Sequence, residues 1–288
     1  MTGTESTGKQ NAPGKSADDR DPLITAVRGN LRLIELGQPF FTGMPCSPNH
    51  PGFRMTLARR HGDAMRPDGG SAANEIIVTG GHVGTHIDAL SHVSHNGELH
   101  GGIDAHQAQQ GGTFSAHGAE HLPGLLRRGV LLDIARLHEV DTLPGGYEIT
   151  PHDLETAAGQ AGVRVIAGDV VLVRTGWSRL FDDPNAYLGA ETGVPGLGVQ
   201  AAHWLGVRDV IATGSDTTAY ERIPPGAGHR VLPVHRVLLV EFGIYIIEHL
   251  ALEDLAASGL CEFAFLLAPL RIVGGTGSPV RPLAAVSR

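Results

Sequence analysis

The sequence holds very little sulfur: Cys46 and Cys261 are the only cysteines among 288 residues. They lie far apart and form no Cys-x-x-Cys pair, which excludes a disulfide framework and a thiolate zinc site. A reducing cytoplasm is the expected setting. No apolar run reaches the ~18 residues that a membrane span needs, so no membrane partner is expected. Clustered cationic charge is missing as well. The formal net charge is −8, and the densest basic pairs, Arg59-Arg60 and Arg127-Arg128, are ordinary solvated surface. Neutralising phosphates takes more than that, so a nucleic-acid partner is excluded. Gly-x-Ser-x-Gly is absent, which removes the strand-to-helix elbow of a serine nucleophile.

Histidine is what the chain has in excess. Of its 16 histidines, half fall between His82 and His121, and residues 82–92 read His-Val-Gly-Thr-His-Ile-Asp-Ala-Leu-Ser-His. Imidazole nitrogens and a carboxylate are ligands for Zn²⁺ or Mn²⁺ that leave coordination positions open for water. A straight strand would hold the His82 and His86 α-carbons ~13 Å apart at ~3.3 Å per residue, too far for a shared ion. The chain must therefore bend between them. Gly84, at the midpoint, can take the backbone angles for it, and a helical turn from Asp88 would bring His92 onto the same face.

A cation on His82, His86 and Asp88 would lower the pKa of a water from ~15.7 toward ~7. His92, whose unperturbed pKa is near ~6.5, suits the general base and acid. His95, His100, His106, His117 and His121 lack the ordered spacing and read as bystanders.

The first 21 residues are polar and read as a disordered tail, with residues 22–288 as one α/β domain. Strands are expected at Leu31–Leu36, Asn74–Val78, Val130–Asp133, Val170–Arg174, Val210–Ala212 and Gly243–Glu248. Helices are expected at Pro151–Gly159, Val199–Leu205 and Leu252–Ala257, the first with Thr150 as cap and Pro151 at its first position. Gly196-x-Gly198-x-x-Ala201 formally fits a dinucleotide fingerprint, but a turn-like stretch and no strand precedes it. Ser215, Asp216, Thr217 and Glu221 gather after the strand ending at Ala212, where α/β folds commonly contact ligands. Ser215 could donate to an oxyanion there, or the cluster could be a plain turn. Phe40 and Phe41 could wall a ring-bearing substrate or pack in the core.

His-x-Gly-Thr-His-x-Asp followed by a histidine four residues later resembles the signature of the putative cyclase family, which includes bacterial kynurenine formamidases and isatin hydrolases. The resemblance runs over about residues 32–286. It takes in Leu36-Gly37-Gln38-Pro39 through Gly43-Met44-Pro45, Gly214-Ser215-Asp216-Thr217, Val234-His235-Arg236, Ile246-Ile247-Glu248 and the closing Gly274-Gly275-Thr276-Gly277-Ser278-Pro279. It implies the family's swivelling β/β/α fold, a homodimer or higher homo-oligomer, and hydrolysis of a small amide, cyclic amide or lactone by metal-activated water.

By the same resemblance, His92 is the catalytic histidine, and His235 and Glu248 occupy a second metal position that Asp88 bridges. The residues themselves allow plainer roles, with Glu248 at a strand end and His235 capping the turn after Pro233. Formamidase-type members carry proline where this chain has Leu90, which points to a single metal. Two alternatives to hydrolysis stand beside it: a metal-dependent cyclase or dehydratase, in which no water is consumed, and a non-enzymatic metal-binding protein.

Overall fold

The computed structural model describes residues 22–29, 31–230 and 232–287, so the tail expected at residues 1–21 lies outside it. A nine-stranded sheet organises the chain. Along the sequence its strands are β1 (Leu31–Glu35), β4 (His86–Asp88), β5 (Leu125–Asp133), β6 (Val170–Arg174), β7 (Ala212–Ser215), β8 (Tyr245–Glu248), β9 (Glu262–Leu267), β10 (Gly277–Pro279) and β11 (Leu283–Ser287). The missing numbers belong to β2 (Arg54–Arg59) and β3 (Asn74–Val78), which pair only with each other. Across the sheet the order is β1-β11-β9-β5-β6-β7-β8-β4-β10.

The middle of the sheet, β5 to β8, is parallel, and both its flanks are antiparallel. β6 is buried along its whole length, as a parallel strand covered on both faces must be, and its run Val-Val-Leu-Val has no polar alternation. Val171 and Val173 pack on one side with Leu154, Trp204 and Leu205, while Val170 and Leu172 pack on the other with Leu255 and Phe265. The helix Pro151–Ala161 starts at a reciprocal capping box. Asp153 N–H donates to Thr150 Oγ1 at 3.3 Å and Thr150 N–H donates to Asp153 Oδ2 at 2.8 Å. Gly162 ends the helix in the left-handed region at φ +66°.

Several sequence expectations need correction. β5 begins five residues before Val130, because Arg127-Arg128 hid an apolar strand whose Arg128 pairs with Glu262 of β9 and with Asp169. β7 starts where the expected strand ended and carries on to Ser215, since Asp209 turns the chain at φ +54° just upstream. No helical turn follows Asp88. β4 stops there, and Ala89–His92 closes a tight turn in which His92 N–H donates to Ala89 O at 2.9 Å. Among the described residues no helix is long and apolar enough to cross a membrane.

Candidate metal centre

The site forms where β4 meets β8. His86 lies directly opposite Glu248 in the antiparallel register, so their side chains share a face, and Asp88, two residues along, shares it too. All three are buried. Gly84 makes the preceding bend at φ +62°, and a Cβ there would stand 2.7 Å from both Met44 Cε and Phe40 Cζ. Any side chain at position 84 would therefore be strained and crowded. Thr85 fixes the bend to its surroundings, accepting from Gln38 N–H at 2.8 Å and donating to His249 O at 2.6 Å.

Each imidazole is oriented by what its other nitrogen holds. His86 Nδ1 donates to Gly84 O at 2.7 Å, leaving the Nε2 lone pair 3.5 Å from Asp88 Oδ1 and 3.5 Å from Glu248 Oε2. His235 Nδ1 donates to Glu221 Oε1 at 2.6 Å, leaving Nε2 3.2 Å from Glu248 Oε1 and 3.7 Å from Asp88 Oδ2. Glu221 is held in turn by the Val234 and His235 backbone N–H groups, each at 3.0 Å. His82 Nδ1 stands 2.7 Å from Asp88 Oδ1, with Thr276 Oγ1 2.8 Å from its Nε2. His92 stacks on the His82 ring, centroids 3.8 Å apart.

Asp88 is therefore two-sided, with Oδ1 toward His82 and His86 and Oδ2 toward His235. Asp88 Oδ2 and Glu248 Oε1 are both buried without a hydrogen bond. Orphaned carboxylate oxygens in a site this dry are costly unless positive charge meets them. Carboxylate oxygens and imidazole nitrogens converging within ligand range fit a divalent cation, and two overlapping triads meet the spacing: His82, Asp88 and His92, and Asp88, His235 and Glu248. A third triad joins His86 and Glu248 to His249. His86 has only one nitrogen to offer, so it can serve one ion at a time.

The electrostatics agree with this acceptor-rich arrangement. Burial, the largest influence on Asp88, works against its ionisation, but His92, His82 and His86 outweigh it and hold the carboxyl well below the usual carboxylate range. Burial also works against a charge on His235, yet Glu221 and Glu248 raise its pKa well above the ordinary value. Without a cation His235 keeps a proton that metal binding would displace. Burial pushes His92 down to about 3, with Asp88 opposing, so its imidazole is neutral at pH 7.

A cavity of about 30 Å³ adjoins the cluster, bordered by His92 and His235 and by Ser47, Thr218, Leu232 and His249. That is about the share of one water in the liquid. A much larger concavity, about 560 Å³, is bordered by Glu221 with Leu197, Arg222, Pro224 and Val234. The chemistry, not the size, identifies the smaller one as the candidate site.

The structure thus brings together His82, His86, Asp88, His92, His235 and Glu248. It sets the other candidates elsewhere. Ser215 Oγ turns to Thr217 Oγ1 at 2.7 Å, and Glu221 reaches the cavity only through His235. Asp216 accepts from Thr175 and Gly176 N–H groups at 2.9 and 2.8 Å. Phe40 meets Phe53 edge-on at 5.5 Å and backs the Gly84 bend, while Phe41 is partly exposed against Phe181.

Two histidines of the cavity were not singled out by the sequence: His50, stacked 5.3 Å from His82, and His249, which holds φ +54°. The only signal for His249 is that it directly follows Glu248. His50 has none, because its place depends on a loop far from the motif. His100 and His117 are structural, since their rings bond Val240 O and His100 O.

Comparison with known proteins supplies the lineage. The model of the family described as Putative cyclase matches residues 34–222. An isatin hydrolase from Roseibium aggregatum is 28% identical over 227 residues, covering 77% of this chain and 78% of that protein. A crystal structure described as a novel cyclase has a TM-score of 0.80 at 29% identity, covering 91% of each chain. Isatin hydrolase A from Ralstonia solanacearum has a TM-score of 0.72 at 25% identity, over 96% of this chain and 100% of that one. The fold, the histidine motif on β4 and these matches agree: the chain belongs to the putative cyclase family.

Proposed function

We propose that the protein is a metal-dependent hydrolase that opens a small amide, cyclic amide or lactone. The observation that carries this reading is the pair of orphaned oxygens, Asp88 Oδ2 and Glu248 Oε1, among imidazoles already oriented to accept a cation. His82, His86 and Asp88 would hold one divalent ion, Zn²⁺ or Mn²⁺, which suit such a donor set. His235 and Glu248 would hold a second on the other oxygen of Asp88. Both orphaned oxygens lie on the His235 side, which favours two positions over the single one that Leu90 suggested. A bound ion supplies a water of lowered pKa and polarises the substrate carbonyl.

The chain's own groups do the rest. His92, neutral and stacked beside His82, accepts a proton from the attacking water at an imidazole nitrogen. As the carbon–nitrogen or carbon–oxygen bond breaks, it returns that proton to the departing atom. Water is consumed and an acid and an amine or alcohol appear, joined in one molecule where the substrate is cyclic. Glu221 keeps the proton-bearing nitrogen of His235 pointed away from the cluster, so that Nε2 faces inward.

The metal-loaded protein should be assayed against isatin, N-formylkynurenine, cyclic imides and lactones in ¹⁸O-labelled water. Turnover with one ¹⁸O in the new carboxylate is the expected result. Product without label would instead establish cyclisation or dehydration.

A further inference from the structure

Two further buried polar side chains border the cavity: Thr218 and His249, which are 4 and 3% exposed. They stand shortly beyond the C-terminal ends of β7 and β8, neighbouring strands that run parallel. In α/β folds such strand ends commonly meet ligands. Thr218 Oγ1 lies 3.5 Å from His249 Nε2.

The backbone of His249 is held in a strained form. Its φ is +54°, a left-handed value that is unfavourable for a residue other than glycine. The His249 N–H donates to Thr217 O at 3.0 Å and its carbonyl accepts from Thr85 Oγ1 at 2.6 Å. Any residue could make those two bonds, so they account for the backbone and not for an imidazole. The ring packs against Tyr187 at 5.3 Å and meets Phe181 edge-on at 6.5 Å. Tyr187 is fixed in turn, its hydroxyl donating to Asp216 O at 3.1 Å and its carbonyl accepting from Trp177 Nε1 at 2.7 Å. An aromatic socket therefore steadies an imidazole at the cavity wall.

Position separates this histidine from the catalytic one. Ring contacts lead from His92 to His82 at 3.8 Å, on to His86 at 5.2 Å and on to His249 at 5.7 Å, so two candidate ligands intervene. When the water oxygen bonds to the carbonyl carbon, the carbonyl π pair moves onto oxygen. When that pair returns, the bond to the departing nitrogen or oxygen breaks, and His92 protonates the departing atom. Negative charge thus gathers on the carbonyl oxygen between these two events, where hydrogen-bond donors lower the barrier. A hydroxyl and an imidazole nitrogen 3.5 Å apart can both reach one oxygen at the roughly 2.7–3.1 Å that this stabilisation requires.

We propose that Thr218 and His249 are the donors that hold the substrate's carbonyl oxygen and the negative charge that forms on it. A neutral imidazole with its proton on Nε2 suffices. The pair takes the part that the sequence offered to Ser215, whose hydroxyl turns to Thr217. This inference rests on the hydrolase reading.

Kinetics of metal-loaded variants test it, with isatin, N-formylkynurenine, succinimide and γ-butyrolactone as probes and the comparison made on whichever the wild type opens fastest. His249→Gly relaxes the left-handed backbone and removes the donor, so it should lose about 10²–10³ in kcat with KM little changed. Thr218→Val should lose kcat in the same way but less. His249→Asn tolerates positive φ and keeps an N–H, so it should recover part of the loss. All three should keep their circular dichroism and, by elemental analysis after dialysis, the wild-type metal content. His249 lies within ligand range of His86 and Glu248, so a folded His249→Gly protein short of metal would make it a ligand and overturn the proposal. A loss confined to KM would overturn it as well. Wild type that opens none of these probes would overturn the hydrolase reading and this inference with it, whereas active wild type beside variants of undiminished kcat would overturn the inference alone.

Discussion

Asp88 shows how much a single buried carboxylate can organise. One oxygen meets His82 and His86 and the other faces His235, so the residue joins two groups of donors that come from distant stretches of chain. His92 stacks on His82 and offers a ring nitrogen within 4.8 Å of the donor atoms of His82 and Asp88. If it moves protons without holding the ion, His92→Ala should keep its metal and lose about 10²–10⁴ in rate, the usual size of a general acid–base contribution. Near-normal turnover by the metal-loaded variant would remove it from the mechanism.

Glu221 acts at one remove, through His235 Nδ1. Glu221→Gln keeps the shape and weakens the acceptor, so metal affinity should drop about 10–100-fold in chelator competition, as is usual for partners of ligating histidines. Unchanged affinity would mean that His235 does not bind the ion. At this scale the sequence was legible wherever chemistry and spacing coincide, as at His82, His86, Asp88 and His92. Glu221 looked like a substrate contact because nothing local reveals that its carboxylate turns onto the backbone of residues 234 and 235.

At the scale of elements, the register of β4 against β8 turns two separate sequence motifs into one site, with Glu248 across from His86. The bend at Gly84 is its other requirement. Gly84→Ala should cost about 1–2 kcal/mol for the left-handed backbone alone, and more if Met44 and Phe40 cannot yield. A urea melt equal to that of wild type would show that the bend is relaxed.

The capping box offers a pH test. Burial, the largest influence, opposes ionisation of Asp153, but hydrogen bonds from Thr150 and the nearby His138 hold its carboxyl below the usual aspartate range. A carboxyl whose folded pKa is depressed adds stability that is full above the unfolded value and fades as pH falls through the folded one. Asp153→Asn should therefore cost about 0.5–2 kcal/mol at pH 7, with the gap to wild type closing as the pH falls below the usual aspartate range. A gap that stays constant into acid would assign the loss to packing.

Elements with an unbroken apolar run, such as Val170–Arg174, or with a clear cap, such as Pro151–Ala161, could be read from the sequence directly. Flanking strands such as Glu262–Leu267 are apolar after the first residue yet alternate exposed and buried positions, according to a pairing that only the folded sheet supplies. The π-helical stretch Arg236–Phe242, which follows His235, has no sequence pattern of its own.

The whole molecule combines a parallel centre, antiparallel flanks and a site near one end of the sheet, where strands from both halves of the chain meet. The hairpin at residues 54–78 stands apart from that sheet, its two strands paired only with each other. The residues of the candidate metal centre all come from one chain. If its two positions share Asp88, wild-type protein should hold two equivalents of metal, and Glu248→Gln should lose one of them.

Removing the shared carboxylate is the most direct test. Asp88→Ala, loaded with Zn²⁺ or Mn²⁺, dialysed and assayed by elemental analysis, should lose nearly all the metal that wild type retains while its fold, followed by circular dichroism, persists. A folded Asp88→Ala protein with the full wild-type complement would contradict the account.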